Sequence, residues 1–237
     1  MSEPRRILLA GATGLVGQRV MEAAVGCSSL RLVALSRREA PMPPGAKMEM
    51  LVADPPHWKE AVAAIAPEAV ICALGTTWRK AGSEEAFRAV DQDLVLSLAR
   101  SAKEAGAKTF VLVSSTGADL AAKAFYLRVK AEVEAEVARI GFDRLDILRP
   151  GLLRGQRGGD RRWLERLGIL VSPLTDQLLH GRRRPYRSID AGTVAAAALQ
   201  CSLEKARGRF VHDNDALMRL VRRFESASSP TDSARRP

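Results

Sequence analysis

RILLAGATGLVG, residues 6–17, joins a short apolar run to three glycines spaced three apart, at 11, 14 and 17. A continuous apolar run of this length reads as a strand buried on both faces, and the residues that follow, roughly 15 to 26, repeat their apolar positions at helical spacing. Strand, glycine turn and helix in that order open a dinucleotide-binding unit. Gly11 permits the sharp turn, Gly14 lets the backbone approach a pyrophosphate, and Gly17 lets the helix pack closely. The phosphates then meet the positive end of the helix. The competing reading is a tight turn without a ligand, and the motif's place at the first strand and helix favours the ligand.

Working outward, the same rhythm runs along the chain. RILLAGA, LRLVALS, KMEMLVA, EAVICALG, KTFVLVSS, RLDILRP and GRFVHD read as strands, each apolar enough to be buried on both faces. Helical patterns lie at 15 to 26, 57 to 65, 84 to 105, 119 to 140, 190 to 205 and 214 to 225. This alternation predicts an α/β fold: a doubly wound, mostly parallel sheet with right-handed crossovers and helices on both faces. One domain is expected over residues 1–225. Within it, Pro150 and Gly151 break the rhythm, and a Gly- and Arg-rich segment, 151–187, reads as a small inserted substrate lobe. Residues 226–237 read as a flexible tail, being rich in Ser, Pro and charge without apolar periodicity.

The second strand points to the cofactor. Its end lies where an NAD-binding protein commonly places an acid for the adenosine ribose, and this chain has Ser36, Arg37 and Arg38. Guanidinium groups bind a 2′-phosphate that a carboxylate would repel, so NADP(H) is expected over NAD(H). Asp54, ending the third strand, is placed either to meet the adenine amino group or to cap the helix beyond Pro56. Leu74, Gly75 and Thr76 follow the fourth strand on the carboxyl side, where open α/β sheets bind ligands.

In AFYLRVKAEVEAEVARI, residues 124–140, helical geometry puts Tyr126, Lys130, Val133 and Val137 on one stripe. A core tyrosine and a snorkelling lysine satisfy that geometry, and so do an acid and the cation that activates it. GATGLVG, VSSTGA and YLRVK together resemble the short-chain dehydrogenase/reductase superfamily in its atypical branch. ALGTTWRKAG, LVSSTGAD, YLRVKAEVEAEV and FDRLDILRPGLL further resemble the family of the human Tat-interactive oxidoreductase and its bacterial relatives.

The resemblance covers residues 6 to 205. It implies a Rossmann-like domain, NADPH binding and a Ser/Tyr/Lys active site with Tyr126 as proton donor and Lys130 as its lysine. Its cofactor contacts fall on Thr13, Gly14, Leu15, Val16, Arg37, Arg38, Leu74 and Gly75, with Leu153 and Arg161 later. The serine is Ser114 or Ser115, which point to opposite faces. Ser114, three residues before Gly117, is preferred. Asp91 stands where many members of the superfamily use Asn in a proton relay, which puts that relay in doubt.

These residues would serve hydride transfer to or from a small carbonyl or alcohol compound. A phenol is a poor acid-base group near neutrality unless a cation lowers its pKa, and Lys130 is the cation at hand. The serine would hold the substrate oxygen, and the nicotinamide would carry the redox step. Epimerases and dehydratases use the same groups, so the fold does not choose the reaction. A cofactor-sensing protein without turnover is the second reading.

Composition narrows the rest. The 237 residues carry a formal net charge of +10, and 29 of the 37 basic residues are arginine. Residues 151–187 hold nine arginines against Asp160, Glu165 and Asp176. Such a lobe could draw in an anionic substrate at Arg154, Arg157 or Arg161, but its few aromatics make nucleic acid an unlikely partner. Three scattered cysteines and three isolated histidines offer no metal-ligand spacing and no support for a His-based relay. No apolar run is long enough to span a bilayer. PRRILLAGATGLVG resembles a twin-arginine signal, but cleavage there would remove the glycine motif. A cytoplasmic enzyme is therefore expected.

Overall fold

The computed structural model describes residues 3–155 and 187–228. All seven expected strands form and pair in parallel as one sheet: β1 (Arg5–Ala10), β2 (Leu30–Ser36), β3 (Glu49–Val52), β4 (Ala69–Cys72), β5 (Thr109–Val113), β6 (Arg144–Leu148) and β9 (Gly208–His212). Their order is β3-β2-β1-β4-β5-β6-β9. The chain moves outward from β1 on one side and then returns to continue from β4 on the other. The crevice at the carboxyl ends of β1 and β4 is therefore the switch point where doubly wound sheets hold ligands.

Alternation along each strand divides the interior into two cores. Ile7, Leu9 and Ile71 face a layer made by α1 (Leu15–Ala24), α7 (Ala191–Leu203) and α8 (Asn214–Ser228). Leu8, Ala10, Val70 and Cys72 face α2 (Trp58–Ile65), α5 (Leu94–Glu104) and α6 (Phe125–Ile140). Period-two strands between two helical layers bury both faces, which is why β4, β5 and β6 are buried at every residue. The expectation of two-sided burial fails for β3 and β9. Both lie at sheet edges and keep exposed positions.

Three further departures concern helix limits. The helix expected from 119 begins at Phe125, because Asp119 closes a turn by accepting the N–H of Ala121 at 2.8 Å, and helical spacing alone does not reveal such a turn. The helix expected over 84 to 105 is α4 (Glu84–Arg88) and α5 joined by a π-helical turn, Ala89–Asp93. The last helix runs to Ser228, past the limit expected at 225, and its apolar stripe, Leu217, Leu220 and Phe224, packs into the core. A short helix, α3 (Trp78–Ala81), follows β4, and a two-stranded parallel pair, β7 (Leu153–Arg154) with β8 (Ile189–Asp190), borders the expected lobe. Most of that lobe, including Arg157 and Arg161, lies outside the described residues, as does the end of the tail.

Candidate active site

The glycine turn sits at the switch point. Gly11 has φ +93°, and a Cβ there would lie 2.5 Å from the carbonyl carbon of Ala73 and 2.8 Å from the nitrogen of Leu74. Only glycine fits where the first loop crosses the end of β4. A Cβ on Gly17 would lie 2.7 Å from the carbonyl carbon of Gly11, so this glycine sets how closely α1 enters the turn. Gly14 donates its N–H to Gly11 at 2.9 Å and caps α1 without a side chain. The first turn of α1 holds no acid. Leu15 and Val16 bury their side chains, and Thr13 is half-buried in the loop. A helix end of this kind, with free N–H groups and no acid, suits a pyrophosphate.

The other expected cofactor contacts among the described residues lie on the loops that follow β2, β3 and β4 and on β7. Arg37 and Arg38 are exposed just past β2, and the Arg38 N–H faces the Ser36 hydroxyl at 3.4 Å. Asp54 is exposed at the start of a 3-10 turn, Pro55–His57, and its side chain caps nothing; the expected helix cap is therefore replaced by a backbone bond from His57 to the Asp54 carbonyl. Leu74 and Thr76 are half-buried and Gly75 is exposed, in the loop beyond β4. Leu153 is half-buried in β7, while Arg161 lies outside the described residues.

Tyr126 and Lys130 open α6 on the face toward this loop. Tyr126 is half-buried, its ring edge-on to Phe87 with centroids 5.7 Å apart, and the Lys130 Nζ lies 5.8 Å from the centre of the same ring. Lys130 is buried and meets Asp91 Oδ1 at 2.8 Å. The other carboxylate oxygen of Asp91 accepts the Thr76 N–H at 2.6 Å. Burial pulls the lysine pKa down, but Asp91 first, then Tyr126, hold it above the ordinary value. Asp91 belongs to the π turn, a helix irregularity common at functional sites. The same junction is braced by Arg88, which pairs with Glu132 of α6 at 2.5 Å and lies over the Phe125 ring. Sequence reading flagged Asp91 as a departure from the relay pattern; it gave no hint that the residue is the lysine's partner.

The two candidate serines differ in what their hydroxyls meet. Ser114 is buried and donates its hydroxyl to Glu134 Oε1 at 2.5 Å, and Glu134 in turn binds Arg149 through both carboxylate oxygens. A hydroxyl already spent on a buried carboxylate is not free to donate to a substrate oxygen. Ser115 is half-buried, with only a 3.3 Å contact to the Thr116 carbonyl. Glu134 escaped sequence reading because it looks like one more charge on an amphipathic helix.

A second polar cluster lies on the α7 and α8 side of the sheet. Asp146 takes Arg144 on both oxygens, at 2.6 and 2.9 Å, and His212 Nε2 at 2.7 Å; Cys201 Sγ is 3.9 Å from the same nitrogen. Three potential metal ligands thus meet although the sequence shows no ligand spacing, because they come from three elements. The guanidinium on Asp146 opposes a cation, and burial and then Asp146 push the Cys201 thiol well above its ordinary pKa. One imidazole nitrogen, Nε2, faces both neighbours.

Comparison with known proteins follows this geometry. A family described as NAD(P)H-binding matches residues 11–171. A protein of Emericella nidulans named Fmp52, mitochondrial, is 39% identical over 162 residues, 65% of this chain and 70% of its own length. The Fmp52 protein of Aspergillus niger is 34% identical over 209 residues, 85% of this chain and 88% of its own. The solved structure of MoeE5 in complex with UDP-glucose and NAD aligns with a TM-score of 0.66 at 16% identity, over 87% of this chain and 74% of MoeE5. The relatives carry the name Fmp52, whereas the sequence resemblance pointed to the Tat-interactive family. They also overturn the expected cytoplasmic placement, since they are named as mitochondrial proteins. Few and scattered thiols indicate a reducing surrounding and do not choose a compartment.

Proposed function

The chain belongs to the NAD(P)H-binding family, and from that premise we propose that it is an NADPH-dependent oxidoreductase of the short-chain dehydrogenase/reductase type. It transfers hydride to or from a small carbonyl or alcohol compound, with Tyr126 as proton donor and acceptor. The observation that supports this most is the joining of Tyr126, Lys130, Asp91 and Thr76 into one site at the carboxyl end of β4, beside the glycine turn. The nicotinamide supplies the hydride chemistry when bound. Lys130 holds its ribose, and the α1 terminus, with Gly11, Gly14 and Gly17, takes the phosphates. Ser115 orients the substrate oxygen, and Tyr126 moves the proton to or from it. A screen of small carbonyl compounds with NADPH tests the reading; no turnover of any of them, with cofactor still bound, favours a cofactor sensor. Two observations support that second reading: the Lys130 charge is shared with Asp91, and the Ser114 hydroxyl is held by Glu134.

Cofactor choice rests on Arg37 and Arg38, for which no acidic partner is found among the described residues. Replacing both by Ala is expected to weaken NADPH binding by about 10- to 100-fold, the worth of one or two charge-assisted hydrogen bonds, and to leave NADH binding nearly unchanged. Paired titrations with the two cofactors measure it, and equal losses for both would remove the assignment.

The serines separate by a different measurement. Ser115→Ala is expected to lower turnover by about tenfold or more at unchanged melting temperature. Ser114→Ala is expected to cost stability, about 1–3 kcal/mol, because Glu134 loses a buried donor. The reverse pattern would restore Ser114 to the site. An anionic substrate, drawn by the arginines of residues 151–187, would be turned over less well as salt rises, while a neutral analogue would not.

A further inference from the structure

We propose that Asp91 is the positioning residue of this site: it ties the Lys130 ammonium to the loop after β4 and keeps the lysine charged where the cofactor ribose arrives. The inference rests on the reading that the cofactor runs from the glycine turn past Lys130. It goes beyond that reading in assigning the charge state of the lysine to one carboxylate.

Geometry carries the argument. Three segments far apart in sequence meet at Asp91: the loop after β4 through the Thr76 N–H at 2.6 Å, α6 through Lys130 at 2.8 Å, and the π turn that bears the carboxylate itself. Asp91 is 1% exposed and Lys130 6%, so neither charge is supported by water. A lone buried ammonium gives up its proton or pulls the site open. Gly75 lies against the pair, since a Cβ there would sit 3.4 Å from Asp91 Oδ1 and 3.9 Å from Lys130 Nζ. The loop backbone after β4 thus runs directly beside the pair.

The alignment of the pair is also informative. Oδ1 is buried and has no directed hydrogen bond, although the ammonium is within ion-pair distance. An ammonium has three donors, so contact with one carboxylate oxygen at 2.8 Å leaves donors over. A lysine held in this way can give hydrogen bonds to a ribose without leaving its carboxylate.

The groups facing Lys130 are Asp91 from the π turn, Tyr126 from its own helix and Cys72 from β4. Burial pushes the Cys72 thiol up to about 12, so it stays neutral through the physiological range. Of these groups only Asp91 is a carboxylate, and it is the first of those that raise the lysine. The lysine pKa is raised, so its contribution is present below the ordinary lysine value and is lost as pH rises through the folded one. Without the carboxylate, burial acts almost unopposed and that loss moves to lower pH.

Asp91→Asn removes the charge and keeps the shape. NADPH binding to the full chain is titrated by fluorescence at pH 7, 8 and 9, alongside a thermal melt for each protein. Wild type is expected to keep its affinity across this range, while Asp91→Asn weakens by about tenfold or more between pH 7 and 9, one pKa unit of lost protonation being one decade. The double variant Asp91→Asn/Lys130→Arg, whose charge does not titrate, is expected to lose that pH dependence. An Asn variant whose pH profile parallels wild type would overturn the proposal, since a merely structural role weakens binding equally at every pH. If the Asn variant does not fold, Asp91→Glu takes its place: the retained charge must preserve the wild-type profile even where affinity falls, and a shifted profile overturns the proposal. Absence of NADPH binding by wild type at all three pH values would instead defeat the underlying cofactor reading.

Discussion

On the proposed function, replacing Tyr126 by Phe is expected to lower carbonyl reduction by about 10²- to 10⁴-fold, the usual worth of a positioned general acid, and to leave NADPH affinity within about threefold. The substitution removes one oxygen and keeps the ring, whose edge-on contact with Phe87 at 5.7 Å is part of the core beside α6. Lys130 keeps Asp91, so cofactor binding has no reason to change. Single-turnover kinetics with a carbonyl compound found active on the wild type, together with a cofactor titration, give both numbers. A Phe variant with more than about a tenth of wild-type turnover would show that the proton comes from elsewhere.

The second large effect is at Gly11. Gly11→Ala is expected to cost about 2–5 kcal/mol, the sum of roughly 1–2 for an L-residue held in the left-handed region and roughly 1–3 for overlap with the end of β4. Both causes are visible: φ is +93°, and the new Cβ would lie 2.5 Å from the Ala73 carbonyl carbon. In a chain of this size that loss lowers the melting temperature by roughly 5–15 °C. Cofactor affinity should fall with it, because the backbone that yields is the phosphate turn. Gly106→Ala is the control. Its φ is +90° but a Cβ there meets nothing within 4 Å, so only the conformational part of the cost remains. Equal melting temperatures for the two variants would refute the packing argument.

The two effects rest on different levels of structure, and the sequence exposes them unequally. Gly11 was recognisable because its requirement is local: a strand end, a turn and a helix start within seven residues. Tyr126 and Lys130 were placed on one helical face by periodicity, yet periodicity does not say what that face meets. The partner of Lys130 lies 39 positions away, in a π turn that no repeat of 3.6 residues announces. Ser114 and Ser115 show the same limit. Alternation put them on opposite faces, but only the packed structure brings Glu134 and Arg149 behind Ser114. Asp146, Cys201 and His212 lie on three elements and gather only when β6, β9 and α7 pack together.

The sequence by itself determined the seven strands, the two-sided burial of the central ones, the parallel doubly wound architecture and the glycine turn. Each follows from backbone geometry and from the period of apolar residues over a few positions. Tertiary structure alone decided that the edge strands are exposed, that the Ser114 hydroxyl is held by Glu134, and that Lys130 pairs with Asp91. The first follows from the order of strands in the sheet, and the others depend on which polar atoms lie within 3 Å of each other once distant segments are packed. A buried charge must find a partner wherever the fold supplies one, whatever its distance along the chain.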